Sequence, residues 1–196
     1  SLDGKSFFYP NPLESAGQHA RSPWFGVACC PGNMARFLAS VPGYVYAKSG
    51  ATIYVNLFAE GTADVRLDAG RSVTLRQQTR YPWDGNVTIT VTPDRTGDFT
   101  IDVRIPGWAR NQPVPSDLYR FLDHVTDPVE LKVNGAAVPL VLDKGYVALR
   151  RTWRAGDVIA LTLPMPVRRV LAHDGVEADR NRVALQRGPI VYAAEW

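Results

Sequence analysis

From about residue 44 onward, apolar residues recur at every second position, and this period of two restricts the fold more than any other feature. A strand sends successive side chains to opposite faces, so such runs describe half-buried strands and not helices. "TIYVNLF" places Ile53, Val55 and Leu57 on one face. "NVTITVT" does the same with Val87, Ile89 and Val91, and "FTIDVRI" with Phe99, Ile101, Val103 and Ile105. Further strand-like stretches are "ADVRL", "SVTLRQQ", "VELKV", "GYVALRR", "DVIALTL", "VRRVL", "RVALQ" and "PIVYAAE". Turn signals such as Asn134-Gly135, Asp143-Lys144-Gly145 and Ala155-Gly156-Asp157 separate them. Many short strands without intervening helices predict a mainly β, jelly-roll-like antiparallel β-sandwich. The segment from Gly107 to Asp127 reads as a long loop.

The first part of the chain obeys a different rule. Residues 1 to 25 have no sustained period. In "PGNMARFLASV", Met34, Phe37, Leu38 and Val41 then follow the spacing of one helical face. Pro31 suits the first turn of that helix, and Pro42-Gly43 is expected to end it. No second helix is available to cover the apolar face.

The two cysteines of the chain are adjacent, Cys29 and Cys30, in "VACCPGN". The bland reading is a pair of small buried residues, since free cysteine is among the most buried types. A disulfide between neighbours requires poor geometry. The alternative begins from their place just before a helix N-terminus, where unpaired N–H groups and the helix dipole favour a thiolate. Two thiols are only half of a closed tetrahedral zinc site. The residue chemistry therefore leaves burial, metal binding, nucleophilic attack and a redox-sensing dithiol open.

Other candidates are weaker. His19, His124 and His173 are isolated, without ligand spacing. "HDGVEAD" does not match a calcium loop and reads as a solvated turn. Trp83 in "YPWDG" is expected to cap an end of the sandwich, the alternative being an exposed ring that stacks on a sugar. Asn86-Val87-Thr88 fits a glycosylation acceptor but lies at a strand start. With a net charge of +3 among interleaved acidic and basic residues, no basic stripe supports nucleic-acid binding. No apolar run is long enough to cross a bilayer. Reduced thiols and the lack of a basic-then-apolar leader favour a cytoplasmic location, and the missing initial Met suggests a piece of a longer protein.

The strings "FFYPNPLES", "WFGVACCPGNMARFLASVPGYVYA", "IYVNLFAEG", "YPWDGNVTITV", "VRIPGWA", "GYVALRRTWRAGD" and "VALQRGPIVYAAE" together resemble glycoside hydrolase family 127, which includes β-L-arabinofuranosidases. The resemblance is to the C-terminal part of the family and covers nearly the whole chain. It implies that residues 1–47 end an (α/α)6 catalytic barrel and that residues 48–196 form the β-sandwich behind it. It also implies that Cys29 is the nucleophile of a retaining mechanism and a zinc ligand, with Cys30 a second zinc ligand and Tyr9 a contact to the sugar. The remaining zinc ligands and the acid/base glutamate would lie upstream, so the zinc site would be incomplete in this chain. The expected partners are an arabinose-containing oligosaccharide or glycoconjugate and the missing N-terminal barrel. A non-catalytic sandwich, supporting the barrel or binding carbohydrate, is the alternative.

Overall fold

The structure is a computed structural model and describes residues 1, 3–9, 16–27 and 29–193. The "NPLE" string and the last residues of "PIVYAAE" lie outside them.

The alternating runs form strands as expected and build two facing sheets. One has the order β1 (Tyr46–Ser49), β2 (Thr52–Val55), β6 (Gly97–Arg104), β11 (Tyr146–Trp153) and β10 (Leu142–Asp143). The other has the order β3 (Gly61–Arg66), β4 (Ser72–Thr79), β5 (Asn86–Pro93), β12 (Asp157–Thr162), β8 (Glu130–Val133) and β9 (Ala136–Ala137). The inner faces carry the alternating residues. Ile53, Val55, Ile101, Val103 and Trp153 of the first sheet join Leu75, Val87, Ile89, Val91 and Ile159 of the second in one core. Burying such side chains is the main stabilising term of a sandwich, roughly 1.5–3 kcal/mol for each. Pairing is antiparallel except between β2 and β6, which run parallel.

Three local expectations are corrected. Leu57 is 41 % exposed, because the strand stops at Val55. The N–H groups of Asn56 and Leu57 both donate to the Val45 carbonyl, which turns the chain and gives the inner place to Phe58. The segment from Gly107 to Asp127 is not simply a loop. It contains a 3-10 turn at Gly107–Arg110 and β7 (Tyr119–Phe121). β7 joins β13 (Val167–Ala172), β14 (Ala184–Arg187) and β15 (Ile190–Tyr192) in a third, four-stranded sheet. Finally, Trp83 caps nothing: it is 66 % exposed, while Tyr81 two residues earlier packs on Phe58 with ring centroids 5.6 Å apart. The next glycine is forced by close approach, since a Cβ on Gly85 would meet the Leu163 carbonyl oxygen at 1.9 Å.

The third sheet is fastened by two consecutive arginines. Arg168 is only 5 % exposed, and its guanidinium lies 3.4 Å from the centre of the Phe121 ring. It donates to the carbonyls of Trp108 and Asp123 and, at 2.8 Å, to Asn111 Oδ1. Asn111 ends the 3-10 turn in a left-handed conformation, φ 63°, which asparagine tolerates better than most residues. Arg169 takes the other side of the loop through Nε and Nη2, 3.1 and 2.5 Å from the Asp123 carboxylate.

That pairing holds the Asp123 carboxyl down at about 2, chiefly through its hydrogen bond from Arg169. A depressed folded-state value contributes stability that is complete above the ordinary carboxylate range near 4, and is lost as pH falls toward 2. Urea midpoints measured between pH 5 and 2 are expected to fall more steeply for the native chain than for Asp123→Asn. Parallel curves would show that the pair contributes nothing.

Candidate active site

The helix begins earlier than its periodicity suggests. α1 spans Cys29–Ser40, so the two cysteines occupy its first turn instead of preceding it. It ends at Ser40, just before Pro42-Gly43 as expected, and after Val41 a second short helix, α2 (Pro42–Val45), starts with Pro42 in its first turn. No residue of α1 is buried, and Met34, Phe37 and Leu38 are 56 %, 54 % and 62 % exposed. The cysteines, expected on composition to be buried, are both exposed free thiols.

Their geometry is specific. Cys29 Sγ and Cys30 Sγ are 3.7 Å apart, and Tyr9 Oη lies 3.0 Å from Cys29 Sγ on its other side. Twenty residues of sequence separate Tyr9 from Cys29. The segment that carries Tyr9 is held by a β-bridge between Phe7 and Ser22, whose backbone N–H groups each donate to the other's carbonyl at 3.0 Å. Phe25 then stands 5.3 Å from the Tyr9 ring and 5.2 Å from Phe7, and Trp24 closes on Phe7 at 6.3 Å. This aromatic bracket was not anticipated from the sequence. The available signal was the density of rings at the two ends of one irregular segment, "FFY" and "WF".

The electrostatics favour a thiolate at Cys29. Hydrogen bonding by Tyr9, and then by Cys30, lowers the Cys29 thiol from its ordinary value. The phenol moves the opposite way, because losing its proton would leave two anions sharing one contact. Position in the first turn acts in the same direction, through N–H groups without intrahelical acceptors.

The pair also fits a zinc ion. Two sulfurs bound at about 2.3 Å in a tetrahedron stand about 3.8 Å apart, which matches the separation of Cys29 and Cys30. Two ligands do not close a tetrahedron. Among the described residues no group of three or more His, Cys, Asp or Glu side chains is placed to hold a metal. His19, His124 and His173 do not join the cysteines. The "HDGVEAD" stretch forms a turn, with a 3-10 segment at Glu177–Asp179.

Comparison with known proteins decides the family. Residues 52–165, more than half of the chain, match the model of the β-L-arabinofuranosidase GH127 middle domain. The chain belongs to glycoside hydrolase family 127. Residues 1–43 match the GH127 catalytic-domain model, and residues 167–196 the family 127 C-terminal-domain model. The thiol pair thus falls in the part that resembles the catalytic domain. A non-reducing end β-L-arabinofuranosidase of Bifidobacterium longum subsp. longum is 36 % identical over 213 residues, covering 100 % of this chain and 29 % of that protein. A solved GH127 β-arabinofuranosidase superposes with a TM-score of 0.92 at 47 % identity, over 100 % of this chain and 31 % of its own. The GH127 β-L-arabinofuranosidase of Geobacillus stearothermophilus T6 gives a TM-score of 0.80 at 41 % identity, over 97 % of this chain and 29 % of its own. The chain therefore spans about three tenths of these GH127 relatives. No helix among the described residues is long and apolar enough to cross a membrane.

Proposed function

We propose that residues 1–196 are the C-terminal part of a retaining glycoside hydrolase acting on β-L-arabinofuranosides, with Cys29 as its nucleophile. The observation that carries this reading is the position of Cys29 Sγ between Tyr9 Oη at 3.0 Å and Cys30 Sγ at 3.7 Å. Both neighbours favour the ionised form of this thiol and fix its position, which is what a nucleophile requires. The names of the relatives supply the substrate class.

In this reading Cys29 and Cys30 would hold zinc together with ligands from outside residues 1–196, and the ion would supply a positive charge that favours the deprotonated thiols. Cys29 Sγ attacks the anomeric carbon, so that a carbon–sulfur bond forms as the glycosidic carbon–oxygen bond breaks. The departing oxygen takes that electron pair and a proton from a carboxylic acid supplied by the rest of the enzyme. Water, deprotonated by the resulting carboxylate, then displaces sulfur, and the electron pair returns to Cys29. Two inversions give net retention. Tyr9 Oη donates to the thiolate before attack and after release, and its ring, leaning on Phe25, forms one wall of the site.

The test uses two polypeptides. The purified 196-residue chain is expected to give no turnover of an aryl β-L-arabinofuranoside and to bind zinc weakly. The same chain preceded by its upstream catalytic region should hydrolyse the glycoside and retain one zinc ion. Turnover by the 196-residue chain alone would refute the division of the site, and an inactive longer enzyme would refute the substrate.

A further inference from the structure

One flank of the sandwich is unfinished, and its backbone shows what it lacks. Thr100 N–H donates to Ala51 O at 3.0 Å on the β2 side, and Ile105 N–H donates to Gly145 O at 2.8 Å on the β11 side. Even-numbered residues of β6 therefore bond toward β2, and odd-numbered ones toward β11. In the antiparallel register Leu149 faces Ile101 and Arg151 faces Phe99. Odd-numbered residues of β11 thus exchange hydrogen bonds with β6, and the N–H and C=O groups of Ala148, Arg150 and Thr152 point the other way. β10 pairs only with Tyr146 and Val147. Leu142 and Val147 are then a non-hydrogen-bonded pair, which sets Val141 opposite Ala148, so the outward groups beyond the reach of β10 are the N–H and C=O of Arg150 and Thr152.

Those groups face a cavity of about 500 Å³, walled on its far side by Val133, Ala136 and Val138 at the end of the six-stranded sheet. Its lining includes Leu149 and Val133, 5 % and 4 % exposed. An open edge of this length with an apolar lining is a template for strand pairing.

We propose that this slot receives an extended strand from the part of the same polypeptide that lies outside residues 1–196, which pairs with β11 along Arg150–Thr152 and closes the flank. The proposal rests on the reading of the chain as part of a larger enzyme. Two features identify the occupant. The chain covers only 29 % and 31 % of two of its relatives, so by that measure most of the polypeptide is available elsewhere. A second copy paired through the same edge about a two-fold axis at Arg150 would set arginine opposite arginine, which is unfavourable.

Amide hydrogen exchange at single-residue resolution tests it. In the 196-residue chain Arg150 and Thr152 should exchange freely while Leu149 and Arg151 are protected. In the complete enzyme the two outward amides should slow by about 100-fold or more. Arg150→Pro, which removes only an outward donor, should lower the melting temperature of the complete enzyme and leave the 196-residue chain unchanged. Arg150→Ala should leave both unchanged. Equal exchange of the two amides in the two proteins would overturn the proposal. So would protection in the short chain that grows with its concentration, since the occupant would then be a second copy. The mass of the natural protein tests the larger-enzyme reading separately.

Discussion

Cys29→Ser in the complete enzyme is expected to lower kcat/KM for an aryl β-L-arabinofuranoside by at least about 10³-fold, equivalent to about 4 kcal/mol of transition-state stabilisation. The contact geometry explains the size. Serine keeps the hydrogen bond to Tyr9 but ionises far less readily than a thiol whose pKa is lowered, so the group 3.0 Å from the phenol loses its nucleophilic form. Nothing in the sandwich changes, since Cys29 is exposed and α1 buries no residue, so circular dichroism and the main unfolding transition should be those of the native enzyme. Loss of activity alone would not separate attack from metal binding, because both uses draw on the same sulfur. Mass spectrometry does. A slow or activated substrate should leave one anhydropentose unit on the native peptide that contains Cys29, and none on the Cys30 position. A C29S enzyme retaining a tenth of native activity would end the proposal, as would a sugar adduct on any other residue.

The largest expected loss of stability lies at a different position. Trp153→Ala should destabilise the chain by about 3–5 kcal/mol, the range for emptying a buried aromatic site. Trp153 has 0 % exposure, its Nε1–H donates to the Phe99 carbonyl at 3.2 Å, and its ring lies 5.9 Å from that of Phe99. For a chain of this size that is a fall of about 10 °C in melting temperature. Trp83→Ala is the control. At 66 % exposure its ring leaves no cavity, so its midpoint should move by less than about 0.5 kcal/mol. A small effect at Trp153, or equal effects at both, would contradict the assignment of the core.

The contrast between these tryptophans shows how far the sequence could be read. Alternation is a local property, and it located the strands that contribute Ile53, Val87, Ile101 and Ile159 to the core. It failed at Leu57, where a bond to Val45 ends the strand, because a turn made by distant backbone leaves no periodic trace. Three strands of the third sheet, β13 to β15, fall in the strand-like runs "VRRVL", "RVALQ" and "PIVYAAE", and only its fourth was hidden, for a related reason. β7 has three residues, too few to show a period, and its pairing with β13 joins segments some fifty positions apart. The site divides the same way. Adjacent cysteines at a helix start are visible in the residues, and family resemblance pointed to Tyr9. The approach of Tyr9 to Cys29 depends on the Phe7–Ser22 bridge within a segment that has no pattern at all.

α1 has twelve residues and buries none of them. A helix of that length standing alone in water is close to its melting point, since nucleation is costly and few bonds follow it. The two sulfurs keep their 3.7 Å separation only while the first turn is wound. In the zinc-binding reading proposed above, metal capture and helix winding would form a single linked equilibrium: each tenfold gain in metal affinity from the wound state would add about 1.4 kcal/mol to the helix. On that reading a chelator would act as a local denaturant, unwinding the turn that carries the thiols while the sandwich behind it stays folded.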